Sequence, residues 1–308
     1  MQADTMLTAA ERPFPAGQAR ANDEWPFSLS RCTPVIGAEI DGVDLARPLN
    51  DDTYAALRAA LLKFKVLFFR DQAITPAQHV ALARRFGELE VHPLLSNHPD
   101  HPELIIFGRD AIERGRENIF HSDVSWREIP SMGSVLRCIS CPEVGGDTIW
   151  VNMAAAYADL PQTVKDQIGD LKAVHDFVPT MVREVSEEQS EAWRRQYPPV
   201  THPVVRTHPE TGEKILYINE AFTTHLANFR KAIHDNYRIG FDFRLAETDL
   251  LQYLYRRAAA PEYQVRLRWK PDTIAIWDNR ATQHYAVQDY FPAVRHMNRA
   301  TIIGERPL

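Results

Sequence analysis

The sequence predicts a mainly β protein with flanking helices, built as an antiparallel sandwich or barrel. Short β-rich runs recur from Leu104 onward, at Leu104–Phe107, Gly133–Ile139, Thr148–Val151, Val204–Arg206, Ile215–Ile218, Gln264–Trp269, Thr273–Trp277 and Met297–Gly304. Turn residues punctuate them at Gly145-Gly146, Pro209-Glu210-Thr211-Gly212 and Lys270-Pro271-Asp272; many short strands with such turns belong to all-β sandwiches and barrels. The chain is long enough, at 308 residues with 44% hydrophobic residues, to bury a substantial core.

The N-terminal third reads differently. Residues 1–25 are polar, with Pro13 and Pro15, and are expected to form a mobile arm ahead of a single domain over 26–308. They lack the apolar stretch of a secretion signal. Val35–Leu45 reads as strand then turn. Asp51–Lys65 reads as a helix with acids in its first turn and Tyr54, Leu57, Leu61 and Leu62 on one side. Val66–Phe69 is a short buried strand. Thr75 caps a second helix with Pro76 at its first position, ending at Gly87. Two further helices are expected at Ala154–Gly169 and Ala246–Arg257, and the charged stretches Val178–Tyr197 and Asn228–Phe243 read as surface insertions, the first a possible lid.

A formal net charge of −6 argues against nucleic acid or an anionic membrane as the main partner. No window approaches the roughly 18–20 apolar residues of a membrane span. Cys32, Cys138 and Cys141 cannot make a disulfide framework, which points to a reducing compartment, and the cytoplasm is the expected location. Cys138-Ile139-Ser140-Cys141 is half a zinc ribbon with no second half, and reads as two buried thiols.

His121-Ser122-Asp123 is the first chemical signal. Residues two apart on an extended segment face the same way, so an imidazole and a carboxylate meet at one spot. That is two-thirds of a 2-His-1-carboxylate facial triad, whose open positions serve oxygen chemistry at iron(II). Alone the tripeptide is weak, because a surface His beside an Asp is common. His284, after the strand-like run ending at Trp277, is the best candidate for the third ligand. Arg295 and Arg299 follow it by 11 and 15 residues. On one strand they would share a face, roughly 13 Å apart. Inward guanidiniums are costly unless they meet anions, with which they pair bidentately; the bland alternative is that one or both turn outward.

In order, His121-x-Asp123, Gly145-Gly146-Asp147-Thr148, Trp277-Asp278-Asn279-Arg280 through His284, and then Arg295 and Arg299 resemble the taurine dioxygenase family of iron(II)- and 2-oxoglutarate-dependent oxygenases. Further matches are Thr201–Pro209 and Tyr217–Thr224, and the resemblance covers roughly Val35 to Pro307. It implies a double-stranded β-helix, or jelly roll. It also implies Fe(II), with 2-oxoglutarate and O2 as co-substrates. His121, Asp123 and His284 are then the iron ligands. Arg295 and Thr148 hold the distal carboxylate of 2-oxoglutarate. Arg299 and His92 take the anion of the prime substrate, and Phe222, Val124 and Trp126 line its pocket.

The expected activity is hydroxylation of a small organic anion, giving succinate and CO2, with a taurine-like sulfonate as first choice. An alkylsulfatase-type or phenoxy-carboxylate-type reaction is the alternative. Three departures bear on that choice. Leu95 stands where sulfonate-specific members carry Tyr, Trp126 where Phe is usual, and Glu113–Asn118 lacks the expected substrate-contacting Asn. The expected partner is the small anionic substrate, with no nucleic acid and no membrane, and a homo-oligomeric state. Two other classes compete. A zinc hydrolase on the same ligands would act without oxygen. A non-catalytic module keeping the fold would be expected to have lost a ligand, and all are present.

Overall fold

The computed structural model describes residues 25–108, 118–181, 186–229 and 243–308. The N-terminal arm, nearly all of Glu113–Asn118 and most of Asn228–Phe243 lie outside them.

In chain order the elements begin with β1 (Ser28–Arg31), β2 (Ala38–Asp41), α1 (Asp51–Phe64), β3 (Val66–Phe69), α2 (Pro76–Arg84) and β4 (Leu104–Gly108). Next come β5 (Ser131–Ser140), β6 (Thr148–Asn152), α3 (Met153–Ala158), α4 (Gln162–Ile168), β7 (Lys172–His175), α5 (Val178–Met181) and α6 (Glu187–Gln196). They are followed by β8 (Val200–Pro203), β9 (Val205–Thr207), β10 (Lys214–Leu216) and β11 (Thr223–Leu226). The chain closes with α7 (Phe243–Tyr255), β12 (Gln264–Leu267), β13 (Ile274–Asp278), β14 (Thr282–Ala286) and β15 (His296–Ile303).

A seven-stranded sheet in the order β1-β2-β3-β13-β5-β15-β4 faces a three-stranded sheet in the order β12-β6-β14. These are the two walls of a jelly roll. The strands are divided among separate sheets and do not close into one hydrogen-bonded barrel.

Strand β13 explains how the walls are held. Its residues alternate between two cores. Ile274 and Ile276 pack on one side with Leu57, Leu61 and Phe64 of α1 and Val80 and Ala83 of α2. Ala275 and Trp277 pack on the other with Trp150 of β6, Val265 and Leu267 of β12, and Trp269. Neighbouring β3 does the same, sending Leu67 and Phe69 outward and Val66 and Phe68 inward. A strand covered on both faces reads as an unbroken apolar run, as Val66–Phe69 does. A third core lies behind β6, where Val151 meets α3, α4 and α7.

The helices follow local rules. The Asn50 side chain accepts from the Thr53 amide at 2.7 Å and caps α1, one residue ahead of the acidic pair. Thr75 caps α2 in a full capping box with Gln78. The single helix expected over Ala154–Gly169 is two, α3 and α4, because Pro161 has no amide to continue the first. Val178–Tyr197 is not a plain surface insertion: Val178 is fully buried, and Trp193 and Tyr197 of the α6 end pack inward. Of the two thiols expected to be buried, Cys138 is and Cys141 is only half-buried. No helix among the described residues is long and apolar enough to cross a membrane.

Candidate active site

Three successive residues of the segment before β5 dock on β14 and the turn ahead of it. His121 and His284 exchange backbone hydrogen bonds, the His121 amide donating at 3.0 Å and the His284 amide at 2.8 Å. The Ser122 hydroxyl donates to the Thr282 carbonyl at 2.8 Å. The Asp123 amide donates to Asn279 Oδ1 at 2.8 Å. His284 itself lies on β14, a strand of its own rather than the tail of the preceding run.

This docking brings the predicted ligands together. One ligand atom from each of His121, Asp123 and His284 lies within 4.8 Å of the others. Asp123 Oδ1 is 3.8 Å from His121 Nε2 and 3.9 Å from His284 Nε2. Nδ1 of His121 is 2.9 Å from the Ile119 carbonyl, which holds the proton there and leaves Nε2 bare for a cation. Burial, with neighbouring His121 second, pushes the His284 imidazole down to about 3, so it is neutral. Burial alone would raise the Asp123 carboxyl, but Arg299, His284 and His121 outweigh it and hold it down at about 2. Two imidazoles and one carboxylate, with ligand atoms this close together, fit a divalent metal of the facial-triad kind.

A cavity opens beside the triad, lined in part by His121, His284, Thr148, Arg295 and Arg299. Arg295 sits one residue ahead of β15 and Arg299 within it, and both turn inward, as their even spacing requires. Arg295 Nη1 donates to the Gly146 carbonyl at 2.5 Å and its guanidinium lies over Tyr290. Gly146 has φ +72°, and a Cβ there would meet Tyr290 at 3.2 Å and Arg295 Cδ at 3.4 Å, so glycine leaves room for the Arg. The Thr148 hydroxyl accepts from Trp269 Nε1 at 2.9 Å, which leaves its own proton for a ligand.

Arg299 is held by the carboxylate: Nη1 donates to both Asp123 oxygens, at 2.8 and 2.9 Å. Its Nε is buried without a partner. His92 is buried, and its Nδ1 accepts from the Leu94 and Leu95 amides, both at 3.2 Å. Burial first, then Arg299 and Arg127, push its imidazole down to about 4.

Phe222 meets His121 edge-on, with ring centroids 6.2 Å apart. Val124 and Trp126 form a small cluster with Phe177 and Val178, joined by Trp193, Tyr197 and Phe222. Trp126 lies 4.6 Å from Phe177 and 5.4 Å from Tyr197, centroid to centroid. Of the ten predicted site residues, His121, His284, Thr148, Arg295 and Arg299 line the cavity beside the triad and Asp123 completes the triad; Val124, Trp126 and Phe222 lie in the ring cluster, Val124 also lining a second pocket with Arg127, and His92 is not among the residues lining the cavity. What the sequence did not assign is the frame: Asn279 and Ser122, quoted only as members of the motifs, and Ser131 at the start of β5 take roles visible only in space.

Comparison with known proteins places the chain in a family. Residues 28–301 match the family described as Taurine catabolism dioxygenase TauD, TfdA family. The chain is 36% identical over 92% of its length to an alkylsulfatase of Acinetobacter baylyi, covering 87% of that protein. It is 35% identical over 89% of its length to an alpha-ketoglutarate-dependent sulfate ester dioxygenase of Pseudomonas putida, covering 88% of it. A solved taurine dioxygenase from Burkholderia xenovorans superposes with a TM-score of 0.76 at 33% identity, covering 92% of each chain. The chain belongs to the TauD, TfdA family of dioxygenases.

Proposed function

We propose that this iron(II)- and 2-oxoglutarate-dependent dioxygenase hydroxylates the sulfur-bearing end of a small organosulfur anion, with alkyl sulfate esters preferred over taurine. The observation that carries the reading is the His121–Asp123–His284 cluster beside a cavity that also receives two guanidiniums, Arg295 and Arg299. His121, Asp123 and His284 would hold the iron(II), which when bound would supply oxygen activation coupled to oxidation of the keto acid to succinate and CO2.

The residues divide the remaining work. Arg295 is fixed in plane by Gly146 and pairs with the far carboxylate of 2-oxoglutarate, while Thr148 donates its hydroxyl proton to the same group. Arg299 faces the prime substrate's anion while remaining tethered to Asp123. His92, with Nδ1 occupied as an acceptor, carries its proton on Nε2 and donates it to that anion. Together these groups place the carbon next to the anion at the metal.

The preference within organosulfur anions rests on the surroundings. Val124, Trp126 and Phe222 are apolar, and the residues flanking His92, Val91, Leu94 and Leu95, are exposed apolar side chains. They suit a hydrocarbon tail better than taurine's ammonium group. For an alkyl sulfate, R–CH2–O–SO3⁻ becomes R–CH(OH)–O–SO3⁻. The carbon–oxygen bond to sulfate then breaks, the hydroxyl proton passes to the sulfate, and an aldehyde and hydrogen sulfate leave. The same rings suit a phenoxy carboxylate, the second reading.

The test is substrate-stimulated succinate release across alkyl sulfates, alkyl sulfonates, taurine and aryloxy carboxylates. Medium-chain alkyl sulfates should stimulate most. Taurine as the best substrate would overturn the preference, and succinate release equal in wild type and His121→Ala would overturn the whole reading.

A further inference from the structure

We infer that Asn279 is a positioning residue for the metal: its side-chain amide acts as a clasp that fixes Asp123 and the strained backbone behind it before any cation arrives. The inference rests on the metal-centre reading above and adds to it a residue that touches neither metal nor substrate.

The geometry is specific. Asn279 is buried, at 1% exposure, in the turn between β13 and β14. Its Oδ1 accepts from the Asp123 amide at 2.8 Å, and its Nδ2 donates to the Asp123 carbonyl at 3.0 Å. One amide thus grips both backbone polar groups of a predicted ligand, the pattern a neighbouring strand would provide. The same Nδ2 lies 2.9 Å from Ser131 Oγ and 3.2 Å from the Ser131 carbonyl, which ties the clasp to the start of β5. Asn279's own amide donates to the Met132 carbonyl at 2.9 Å. Both ends of the amide are satisfied, so the side chain has one orientation.

The backbone beyond Asp123 shows why a clasp is needed. Val124 has φ +47°, a conformation that a β-branched residue adopts only under strain. Such conformations persist only where surrounding structure over-determines them. The turn also carries Trp126 into the ring cluster, so the strain lets one short segment present a carboxylate to the metal and an indole to the pocket wall. Asn279 sits on the same turn as the segment leading to His284. It therefore couples the two halves of the metal site, which are 156 residues apart in sequence at Asp123 and Asn279.

The test is manganese(II) affinity of the metal-stripped full chain, followed by the electron paramagnetic resonance signal of free manganese and needing neither substrate nor turnover. Asn279→Ala should weaken binding about 10–100-fold, the usual cost of losing an outer partner of a metal ligand. Thr75→Ala, which removes the α2 cap far from the site, should lower the melting temperature and leave manganese affinity within about twofold. If Asn279→Ala does not fold, Ser131→Ala decides, with an expected loss of about 2–10-fold for one hydrogen bond. Val124→Gly, placed in the Asn279→Ala background, should recover part of the lost affinity, because glycine adopts the positive φ without a clasp. Folded Asn279→Ala binding manganese like wild type, or Thr75→Ala losing as much as Asn279→Ala, overturns the inference. A wild type that binds no manganese overturns the metal reading instead, so the two failures are distinguishable.

Discussion

The His121–Asp123–His284 cluster, proposed to hold the metal, and the ring cluster around Trp126, proposed to line the substrate pocket, are built by different means. His121, Ser122 and Asp123 are pinned residue by residue to β14 and the turn ahead of it by directional hydrogen bonds between 2.8 and 3.0 Å. Trp126, Phe177 and Tyr197 are held by ring contacts 4.6–5.9 Å apart, centroid to centroid, and partly by the short helices α5 and α6, while Phe222 packs beside them and meets His121 edge-on. Hydrogen bonds specify angle, whereas ring packing tolerates slippage and exchange of one ring for another. On the proposed reading, reaction class and substrate choice then reside in separable parts, and the second should change without disturbing the first.

Several substitutions would break or sharpen that contrast. The largest effect should come from Asp123→Ala. It removes a ligand and leaves Arg299 with an unpaired buried charge, so substrate-dependent succinate formation should fall by at least about 1000-fold, with a loss of stability of about 3–5 kcal/mol in urea titration. If activity survives, the rigid half is not the metal end.

Next come the two arginines. Arg295→Ala should raise the KM for 2-oxoglutarate by about 10–100-fold, and Arg299→Ala should raise that for the prime substrate by a similar factor, each being the loss of a charge-assisted hydrogen bond of about 1.5–3 kcal/mol. Initial-rate kinetics with each reactant varied separately would measure the split, and equal effects on both constants would contradict the division of roles.

Trp126→Phe should act on the soft half alone. It should change the ranking of alkyl sulfates by chain length by about 10-fold or less, a shift of about 1 kcal/mol. Manganese affinity should remain at the wild-type level. A matching loss of metal binding would merge the halves that the comparison separates.

A separate effect, on stability alone, concerns His79, in α2 on the far side of the large sheet. Its Nε2 bonds the Val135 carbonyl at 2.9 Å. Burial drives its imidazole from 6.5 down to about 4. The unfolded chain takes up a proton near pH 6.5 and the folded one resists until about pH 4. Stability contributed by the neutral ring is therefore complete above 6.5 and lost as pH falls toward 4. Urea midpoints across that window should fall for wild type, and His79→Gln should flatten the slope by about 1.4 kcal/mol per pH unit. An unchanged slope would exclude His79 as the responsible group.

Much of this was legible in the sequence where local chemistry decides the outcome. Thr75-Pro76 announced α2, and the apolar run Val66–Phe69 announced a strand covered on both faces. The ligands and both arginines could be read because their spacing survives as a pattern. What escaped was decided by tertiary context. Thr282–Ala286 carries buried Gln283 and His284 among its five residues and shows no apolar alternation, yet it pairs with β6 along its whole length. Lys172–His175 and Thr223–Leu226 are strands because they pair with each other, not through strong propensity. Asn279 stood within the Trp277–Arg280 motif but its role could not be read, because a side chain that bonds a backbone 156 positions away leaves no local trace.

The large sheet has a consequence for how the molecule fails on heating. Trp277 lines the cavity, while its neighbour Ile276 belongs to the core shared with α1 and α2. A single thickness of polypeptide therefore separates the helical layer from the catalytic chamber. Loosening of those two helices would be transmitted directly to the chamber wall, so inactivation and melting of the helical layer should coincide.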